Sequence, residues 1–450
     1  MLVVVVPLAL LFVVVFVKKI PYVGGDIRAA LLITALASGL IAGLAPVDYV
    51  IGAVDGIDQL SWVIMLSLFG SIYAETQVRL GAVDTTLGSL RSLFGNTPKG
   101  LIAAVFLTLV LAGSLLGDAI AAATVIGFLV IHALHDMGIK PNQIGMIILL
   151  GASLGSIMPP ISQAVFLSAS LADTNPEPVL AVAYATVAVG LVFAVVESFR
   201  FVRGKQLPEE LRTTESAVTI LRHRWKTLLP LVVLAAIVVA NSGFAFNVFE
   251  STPGVGSVTE WMLSVPVVQG IAFPVVLAII VATLISFGFG SVRQDTLGTV
   301  RAGLSKVSKT VQIQLCAGVM VGMFYASGAI DLVAEAAASA NGSALKLGGA
   351  LGITGVGMLT GSQTTAQTVM VPFLAPVLQS LDVGNTALAL GASHIAAAGQ
   401  NLPPVSLTAF VVAGLISGAL NQRVDPLKVM VLAVPNSCYF VAVGLVAWFI

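Results

Sequence analysis

The sequence has little charge and almost no cysteine. Of its 450 residues 58% are apolar and only 9% are charged, whereas soluble globular domains carry roughly 25% charged residues. This composition excludes a water-soluble enzyme. The 21 basic and 21 acidic residues give a net charge of zero, so the charge balance indicates no nucleic-acid partner. The two cysteines lie far from any histidine cluster and predict neither a disulfide framework nor a zinc site.

Long apolar runs fill the chain instead. A membrane-spanning helix needs about 20 apolar residues. Runs of this kind occur at about 1–17, 29–52, 59–78, 101–134, 145–171, 177–198, 227–243, 266–288, 311–330, 345–380, 387–421 and 429–450. The first run has no basic start and no small-residue cleavage site, so we expect a retained span rather than a signal peptide. The sequence therefore predicts an all-α polytopic membrane protein in a lipid bilayer.

Small and polar residues interrupt two of these runs. The run 101–134 is shorter than the ~40 residues that two crossings need, and Gly117 and Asp118 lie in its middle. The run 345–380 has the same character around Gly361. We therefore predict two re-entrant helical hairpins, which leave about ten transmembrane crossings.

Basic residues test this count. With both termini outside (N-out/C-out), the cytoplasmic loops receive Lys18, the basic stretch 199–226 and Lys309, and only Lys346 falls outside. Such a sorting follows the positive-inside rule. The stretch 199–226 is predicted to be a cytoplasmic arm, either solvated or bound to anionic lipid head groups.

The chain repeats itself at an offset of 244 residues. The matching landmarks are Gly117 and Gly361, Thr124 and Thr368, Gly155 and Gly399, Pro159-Pro160 and Pro403-Pro404, Ser162 and Ser406, and Phe166 and Phe410. An odd number of crossings separates equivalent positions, so the repeats should be inverted, as in secondary transporters with a binding site at the midplane. The predicted organisation is an N-terminal span (1–25), repeat 1 (26–205, with hairpin 99–134 and broken helix 144–171), a basic arm and linker span (206–265) and repeat 2 (266–450, with hairpin 343–380 and broken helix 387–421).

Each repeat places a proline pair inside a predicted span. Proline removes a backbone donor and disfavours helix at the preceding residue, so both spans should be broken. We expect backbone carbonyls at Gly155 and Ser156 to lack helical partners and to bind a cation, water or solute instead. The alternative is that the prolines only kink packed helices.

Oxygen ligands and helix N-termini are predicted to meet at these breaks. Asp118 and Ser362 are good N-caps, helix N-termini attract anions, and oxygen-rich sites suit sodium. The predicted sodium ligands are Gly117, Asp118, Gly155, Ser156, Gly361, Gly399, Gln400 and Asn401. The predicted substrate-binding residues are Ser162, Ser362, Thr364, Thr365, His394, Asn401 and Ser406. For His394, a contact with a neighbouring helix is an equally good interpretation.

At these residues the sequence resembles the large membrane subunit of tripartite ATP-independent periplasmic (TRAP) transporters, the DctM-like permeases of the ion-transporter superfamily. The resemblance rests on the stretch Leu111 to Ser162 and on the stretch His394 to Gly414. It implies a sodium-coupled elevator carrier for small organic anions such as dicarboxylates, in the inner membrane of a prokaryotic cell. It also implies two partners, a small membrane subunit and a periplasmic or extracellular substrate-binding protein.

Two functions stay open. The first is sodium-coupled uptake of a carboxylate, and the second is cation/proton exchange in which Asp118 titrates. The sequence has no Gly-Lys-Ser/Thr run for phosphate binding. We therefore expect no direct use of ATP, no enzymatic activity and no cofactor beyond the coupling sodium ions.

The predicted topology can be tested with single cysteines. We expect labels at Arg212 and Lys309 to react only from the cytoplasm, and labels at Asp173 and Glu250 only from outside. Labelling with membrane-impermeant maleimides from each side measures this. Labelling at 173 from the cytoplasm alone would contradict the inverted repeat.

Overall fold

The computed structural model describes residues 2–17, 19–94, 96–212, 215–244, 246–252, 254–338 and 341–450; Lys18 of the predicted first cytoplasmic loop lies outside them. The α-helices are α1 Leu2–Phe16, α2 Ile27–Ala42, α3 Pro46–Gln59, α4 Ser61–Leu80, α5 Ala82–Leu93, α6 Pro98–Leu116, α7 Ala119–Asp136, α8 Pro141–Ile157, α9 Gln163–Leu171, α10 Pro176–Ser198, α11 Ala217–Phe244, α12 Val255–Leu263, α13 Pro274–Phe287, α14 Gly290–Arg293, α15 Thr296–Ala326, α16 Ala329–Ala338, α17 Gly342–Thr360, α18 Gln363–Gln379, α19 Asn385–Gly399, α20 Leu407–Leu420 and α21 Pro426–Phe449. Short 3₁₀ helices occupy Phe199–Phe201, Glu209–Leu211 and Val268–Ile271. Within these described ranges there is no β-strand.

The helices confirm the predicted fold class, an all-helical polytopic membrane protein. Among the described residues six helices are long and apolar enough to cross a membrane, or seven if α3 and α4, which meet at a bend of 54°, form one span. Five shorter apolar helices are α1, α2, α8, α13 and α20, of which α8 and α20 are parts of the two broken helices. The count of about ten crossings and the N-out/C-out orientation remain predictions.

Three apolar runs differ from the helices they form. The run 29–52 contains the end of α2 and the start of α3, because Gly43 adopts a left-handed φ of 72° and Pro46 begins the next helix. Helix α13 starts only at Pro274 rather than near 266. Helix α11 starts at Ala217, so the last ten residues of the basic arm belong to a 28-residue helix that continues into the apolar run.

The two repeats have the same local structure at the predicted offset. Helices α6, α7, α8 and α9 each begin 244 residues before α17, α18, α19 and α20. Each hairpin turns at a left-handed glycine, Gly117 with φ 65° and Gly361 with φ 67°. Each helix break contains a cis peptide bond, Pro159-Pro160 in the first repeat and Pro403-Pro404 in the second. The sequence duplication is therefore also a structural one.

A glycine pair brings the hairpin against the broken helix in each repeat. A Cβ added to Gly113 on α6 would lie 2.7 Å from the Cα of Gly155 on α8. At the equivalent positions, a Cβ on Gly357 would lie 2.9 Å from the Cα of Gly399. These backbones touch, as happens where small residues let membrane helices approach closely. The crossing holds each hairpin tip beside the break of its own repeat.

Helices α3, α4 and α15 form a second packed unit. Glycines again permit the crossing of α3 and α15, since a Cβ on Gly56 would collide with the Gly318 carbonyl. Ion pairs join α4 to α15, because the Glu75 carboxylate accepts a hydrogen bond from Lys306 at 2.6 Å and Arg79 donates to the carboxylate of Asp295, the N-cap of α15, at 2.8 Å.

Helices α10 and α21 pack on the broken helices rather than on α3, α4 and α15. Thr186 of α10 hydrogen-bonds His394 of α19, and the Trp448 indole of α21 donates to the Leu388 carbonyl of α19 at 3.2 Å. The Asn436 amide of α21 donates to the Gly190 carbonyl of α10 at 3.0 Å. These contacts attach both helices to the core that carries the breaks.

The glycine crossing predicts a position-specific loss of stability. We expect Gly357→Ala to lower the apparent melting temperature of the purified protein, because overpacking of this kind costs about 1–3 kcal/mol. The matched control is Gly355→Ala on the same helix, where an added Cβ meets nothing within 4 Å. This control should be neutral or stabilising, since alanine is the better helix former. Equal melting temperatures for both variants would contradict the close approach.

Candidate functional site

The first hairpin tip is built by a glycine turn and an acidic N-cap. Gly117 ends α6, and the Oδ1 atom of Asp118 accepts a hydrogen bond from the Ala121 amide at 2.7 Å. The Ser114 hydroxyl donates to the Pro159 carbonyl at 2.8 Å and so connects α6 to the first break. A Cβ on Gly117 would lie 3.0 Å from the Gln163 side chain, at the start of α9. The tip therefore touches the N-terminus of the half-helix beyond the break.

The second tip is also a glycine turn followed by an N-cap, here a serine. The Ser362 hydroxyl accepts from the Thr365 amide at 3.2 Å. Backbone hydrogen bonds fix the tip to the second break, from the Val405 amide to the Met358 carbonyl at 3.2 Å and from the Leu407 amide to the Gly361 carbonyl at 3.4 Å. Thr364 lies half-buried in the first turn of α18.

Both half-helices beyond the breaks also begin at a serine cap. The Ser162 hydroxyl accepts from the Val165 amide, and the Ser406 hydroxyl accepts from the Ala409 amide, each at 3.2 Å. Together with the two tips, this places four capped helix N-termini at the two tip–break contacts. The N-terminus of a helix carries a partial positive charge and free amide groups, which favour anions.

The carbonyls at the breaks have partners inside the protein, contrary to the expectation from the proline pairs. The Gly155 carbonyl accepts from the Met158 amide at 3.1 Å, because the last turn of α8 tightens. The Ser156 carbonyl accepts from the Ser162 hydroxyl at 3.1 Å. In the second break the Gly399 carbonyl accepts from the Leu402 amide at 3.2 Å. A carbonyl oxygen has two lone pairs, so each of these atoms keeps capacity for one further ligand.

A polar bridge joins the two repeats. Asn401, in the second break, accepts from the Ser153 hydroxyl of α8 at 2.8 Å through Oδ1. The Gln363 amide, at the second tip, donates to the Ser156 hydroxyl at 3.1 Å, and the Gln400 amide donates to the Gln363 side-chain oxygen at 3.2 Å. All five side chains are buried. The structure thus brings the second tip together with both breaks.

Ser153 and Gln363 were missing from the sequence-based site. Ser153 precedes Ser156 by three residues, which places both on one face of α8, and this spacing could have found it. Gln363 directly follows the predicted cap Ser362, but its side chain reaches across to the other repeat. Only the three-dimensional arrangement of the two repeats shows that contact.

His394 points away from the tips and breaks. Its Nε2 atom lies 2.8 Å from the Thr186 hydroxyl of α10, its Nδ1 atom lies 3.1 Å from the Ser393 hydroxyl, and its ring packs against Phe440 of α21. The structure therefore supports the interpretation in which a neighbouring helix satisfies this histidine.

The larger of the two cavities described does not lie at the bridge. It has a volume of about 530 Å³ and lies between α3 and α15, lined among others by Asp55, Gln59 and Tyr325. At the bridge itself, Gln363 and Gln400 are 7% and 4% exposed and hydrogen-bond each other. A solute can reach these groups only after this pair separates.

The fold and the site define a class of protein, a membrane protein of two structural repeats, each with a helical hairpin whose tip meets a broken helix. Over residues 1–450 the chain matches the family described as "Tripartite ATP-independent periplasmic transporter, DctM component". It belongs to the DctM family. Membership identifies it as an integral membrane protein of the TRAP secondary transporters, and implies association with a DctQ subunit and a periplasmic binding protein.

A solved transporter has the same fold. The YdaH transporter of Alcanivorax borkumensis superimposes with a TM-score of 0.62 at 16% sequence identity, over 88% of this chain and 86% of that one. At this identity the likeness concerns the fold alone. Among the curated proteins compared, none matches the sequence.

Proposed function

We propose that this chain carries out sodium-coupled uptake of a small organic anion, with the solute and the ions bound between the hairpin tips and the helix breaks. The observation that carries the proposal is the buried bridge between Gln363, Ser156 and Gln400. It joins the second tip to both breaks, and each break ends beside a capped helix N-terminus. Such discontinuous helices form the binding sites of secondary transporters.

The site favours an anion without offering a formal positive charge. Both hairpins and both broken helices lack lysine and arginine over residues 101–139, 141–171 and 347–421. A carboxylate would therefore be bound by helix N-termini and by hydroxyl groups such as those of Ser362, Thr364 and Thr365. Co-bound cations would supply the remaining positive charge.

Oxygen atoms suited to sodium occur at the same tips and breaks. Asp118 offers the carboxylate oxygen that does not accept from Ala121, and Asn401 offers a second lone pair on Oδ1. The carbonyls of Gly155 and Gly399 and the Gln400 side-chain oxygen are further oxygen atoms at the breaks. Hard cations take carbonyl and carboxylate oxygens as ligands.

We further propose that the hairpins and broken helices move as one unit against α3, α4, α13 and α15. The unit includes α10 and α21, because both pack on the broken helices. Its boundary is mainly apolar. Trp62 of α4 packs on Phe166 of α9 with ring centroids 5.4 Å apart, and Phe324 of α15 packs on Phe373 of α18 at 4.7 Å. Apolar contacts are non-directional, so such a boundary can slide.

Uptake by purified protein in proteoliposomes tests the proposal. We expect accumulation of a radiolabelled organic acid when an inward sodium gradient is imposed, with the binding protein and small subunit added in parallel samples. Replacement of sodium by potassium should abolish accumulation. Equal accumulation with both cations would contradict sodium coupling, and no uptake of any acid in the complete system would contradict the proposed substrate class.

Asn401 gives a sharper test of the sodium site. We expect Asn401→Leu to raise the sodium concentration for half-maximal uptake by about tenfold or more, because an apolar group cannot replace an oxygen ligand. The matched control is Asn436→Leu, which removes another buried asparagine, on α21. This control should lose stability and keep its sodium affinity. An unchanged sodium dependence in Asn401→Leu would leave the second break a purely structural feature.

The second candidate function is cation/proton exchange through Asp118, and the carboxylate at the first tip is what favours it. The two functions differ in the variant Asp118→Asn. Asparagine is an equally good N-cap, so a sodium-coupled carrier should retain organic-anion uptake in this variant, although its sodium affinity falls. An antiporter should lose all pH-driven cation exchange, measured with a pH-sensitive dye inside vesicles.

A further inference from the structure

The first ten residues of α11 form a basic segment without acidic residues. Residues 217–226 include Arg222, Arg224 and Lys226, and all three side chains are exposed. Among the described residues no acidic side chain pairs with any of them, whereas Lys306 forms an ion pair with a carboxylate. The segment therefore presents three positive charges that the described part of the chain does not neutralise.

An apolar stripe runs between these charges. Val218, Leu221 and Trp225 are 72%, 38% and 53% exposed. Their spacing places them on one face of the helix, because Leu221 and Trp225 follow Val218 by about one and two turns. Val232, which is 59% exposed, continues this face into the apolar run. The stripe and the outer surface of the apolar run are therefore one continuous surface.

The opposite face of the segment packs on α5. A Cβ added to Gly88 of α5 would lie 3.7 Å from the Ile220 side chain, and the Thr227 hydroxyl donates to the Thr85 hydroxyl at 3.0 Å. Ile220 and Thr227 lie about two turns apart and so share one face. The apolar stripe therefore points away from the protein rather than towards α5.

The length of α11 brings this segment to the membrane surface. At about 1.5 Å per residue its 28 residues extend over about 42 Å, while the hydrocarbon core of a bilayer is about 30 Å thick. Even a helix perpendicular to the membrane therefore continues for about eight residues beyond the core. This excess falls at the basic end, because charged side chains are costly in hydrocarbon.

We propose that residues 217–226 bind anionic phospholipid head groups at the membrane surface. Trp225 and the apolar stripe enter the boundary of the acyl chains, and Arg222, Arg224 and Lys226 contact the phosphates. Amphipathic helices with basic flanks bind membranes in this way, through buried apolar area and attraction to anionic lipid. A solvated arm would instead leave the stripe in water. The inference does not depend on the proposed solute or coupling ion.

The lipid-bound segment also holds α5, the helix that joins α4 to the first hairpin. The Arg91 guanidinium donates to the Leu211 carbonyl at 2.9 Å, and the Ser92 hydroxyl donates to the Glu215 carbonyl at 2.8 Å. Together with the contacts of α11, these bonds tie α5 to the basic arm. The connection between α4 and the hairpin is therefore kept at the membrane surface.

Native mass spectrometry of the full chain in detergent tests the proposal. Phosphatidylglycerol, which is anionic, and phosphatidylcholine, which has no net charge, are titrated separately, and the apparent Kd of each is measured. The test variant combines Arg222→Gln with Lys226→Gln. The matched control combines Arg423→Gln with Lys428→Gln, which removes two exposed basic side chains at the start of α21. Circular dichroism melting curves establish that each variant is folded.

We expect wild type to bind phosphatidylglycerol about tenfold or more tightly than phosphatidylcholine, because basic residues at a membrane surface attract anionic lipid. The test variant should lose most of this preference, and the control should keep it. Salt should weaken only the binding of phosphatidylglycerol, since salt screens the charges. This salt dependence in wild type keeps the test open if the variant fails to fold.

Three results would overturn the proposal. In the first, wild type binds both lipids equally. In the second, the test variant keeps the preference for phosphatidylglycerol or the control loses it equally, which indicates a general attraction to a basic surface. In the third, addition of the small membrane subunit or formation of a dimer removes the preference, which assigns the surface to a protein partner.

Discussion

The hydrocarbon core of a membrane offers no hydrogen bonds to a broken helix, and this constraint organises the whole structure. A helix that stops inside the membrane leaves amide and carbonyl groups that must find partners in the protein. Here caps supply them: Asp118, Ser162, Ser362 and Ser406 each accept a bond from the first turn of a helix. The breaks persist because these partners exist, and the same capped ends create the surroundings that suit an anion.

Close backbone contact is the second requirement. A tip can satisfy a break only if the hairpin lies against it, and Gly113 with Gly155, like Gly357 with Gly399, allows this approach. The two repeats then differ in polarity, since Gln363 and Gln367 on α18 stand where α7 has alanines. The backbone is therefore nearly symmetric, while the side chains at the tips and breaks are not.

Much of this was predictable from the sequence. Both hairpins and both breaks were predicted from the offset of 244, the proline pairs and the caps at Asp118 and Ser362. These features depend on local backbone preferences. The contacts between Ser153 and Asn401 and between Gln363 and Ser156 were not predictable, since they depend on how distant helices pack. The same is true of His394, whose partner Thr186 lies on another helix. Carbonyl partners at Gly155 were also missed, because a tightened last turn is not visible in a proline pattern.

The most direct test of the account measures distances between spin labels in the working transporter. Both tips belong to the proposed moving unit, so the distance between labels at Asp118 and Ser362 should stay nearly constant when sodium and solute are added. Helix α11 packs on α13, so the distance from either tip to a label at Val232 on α11 should change by several ångströms. A larger change between the two tips than between the tips and Val232 would contradict the movement of the hairpins and broken helices as one unit.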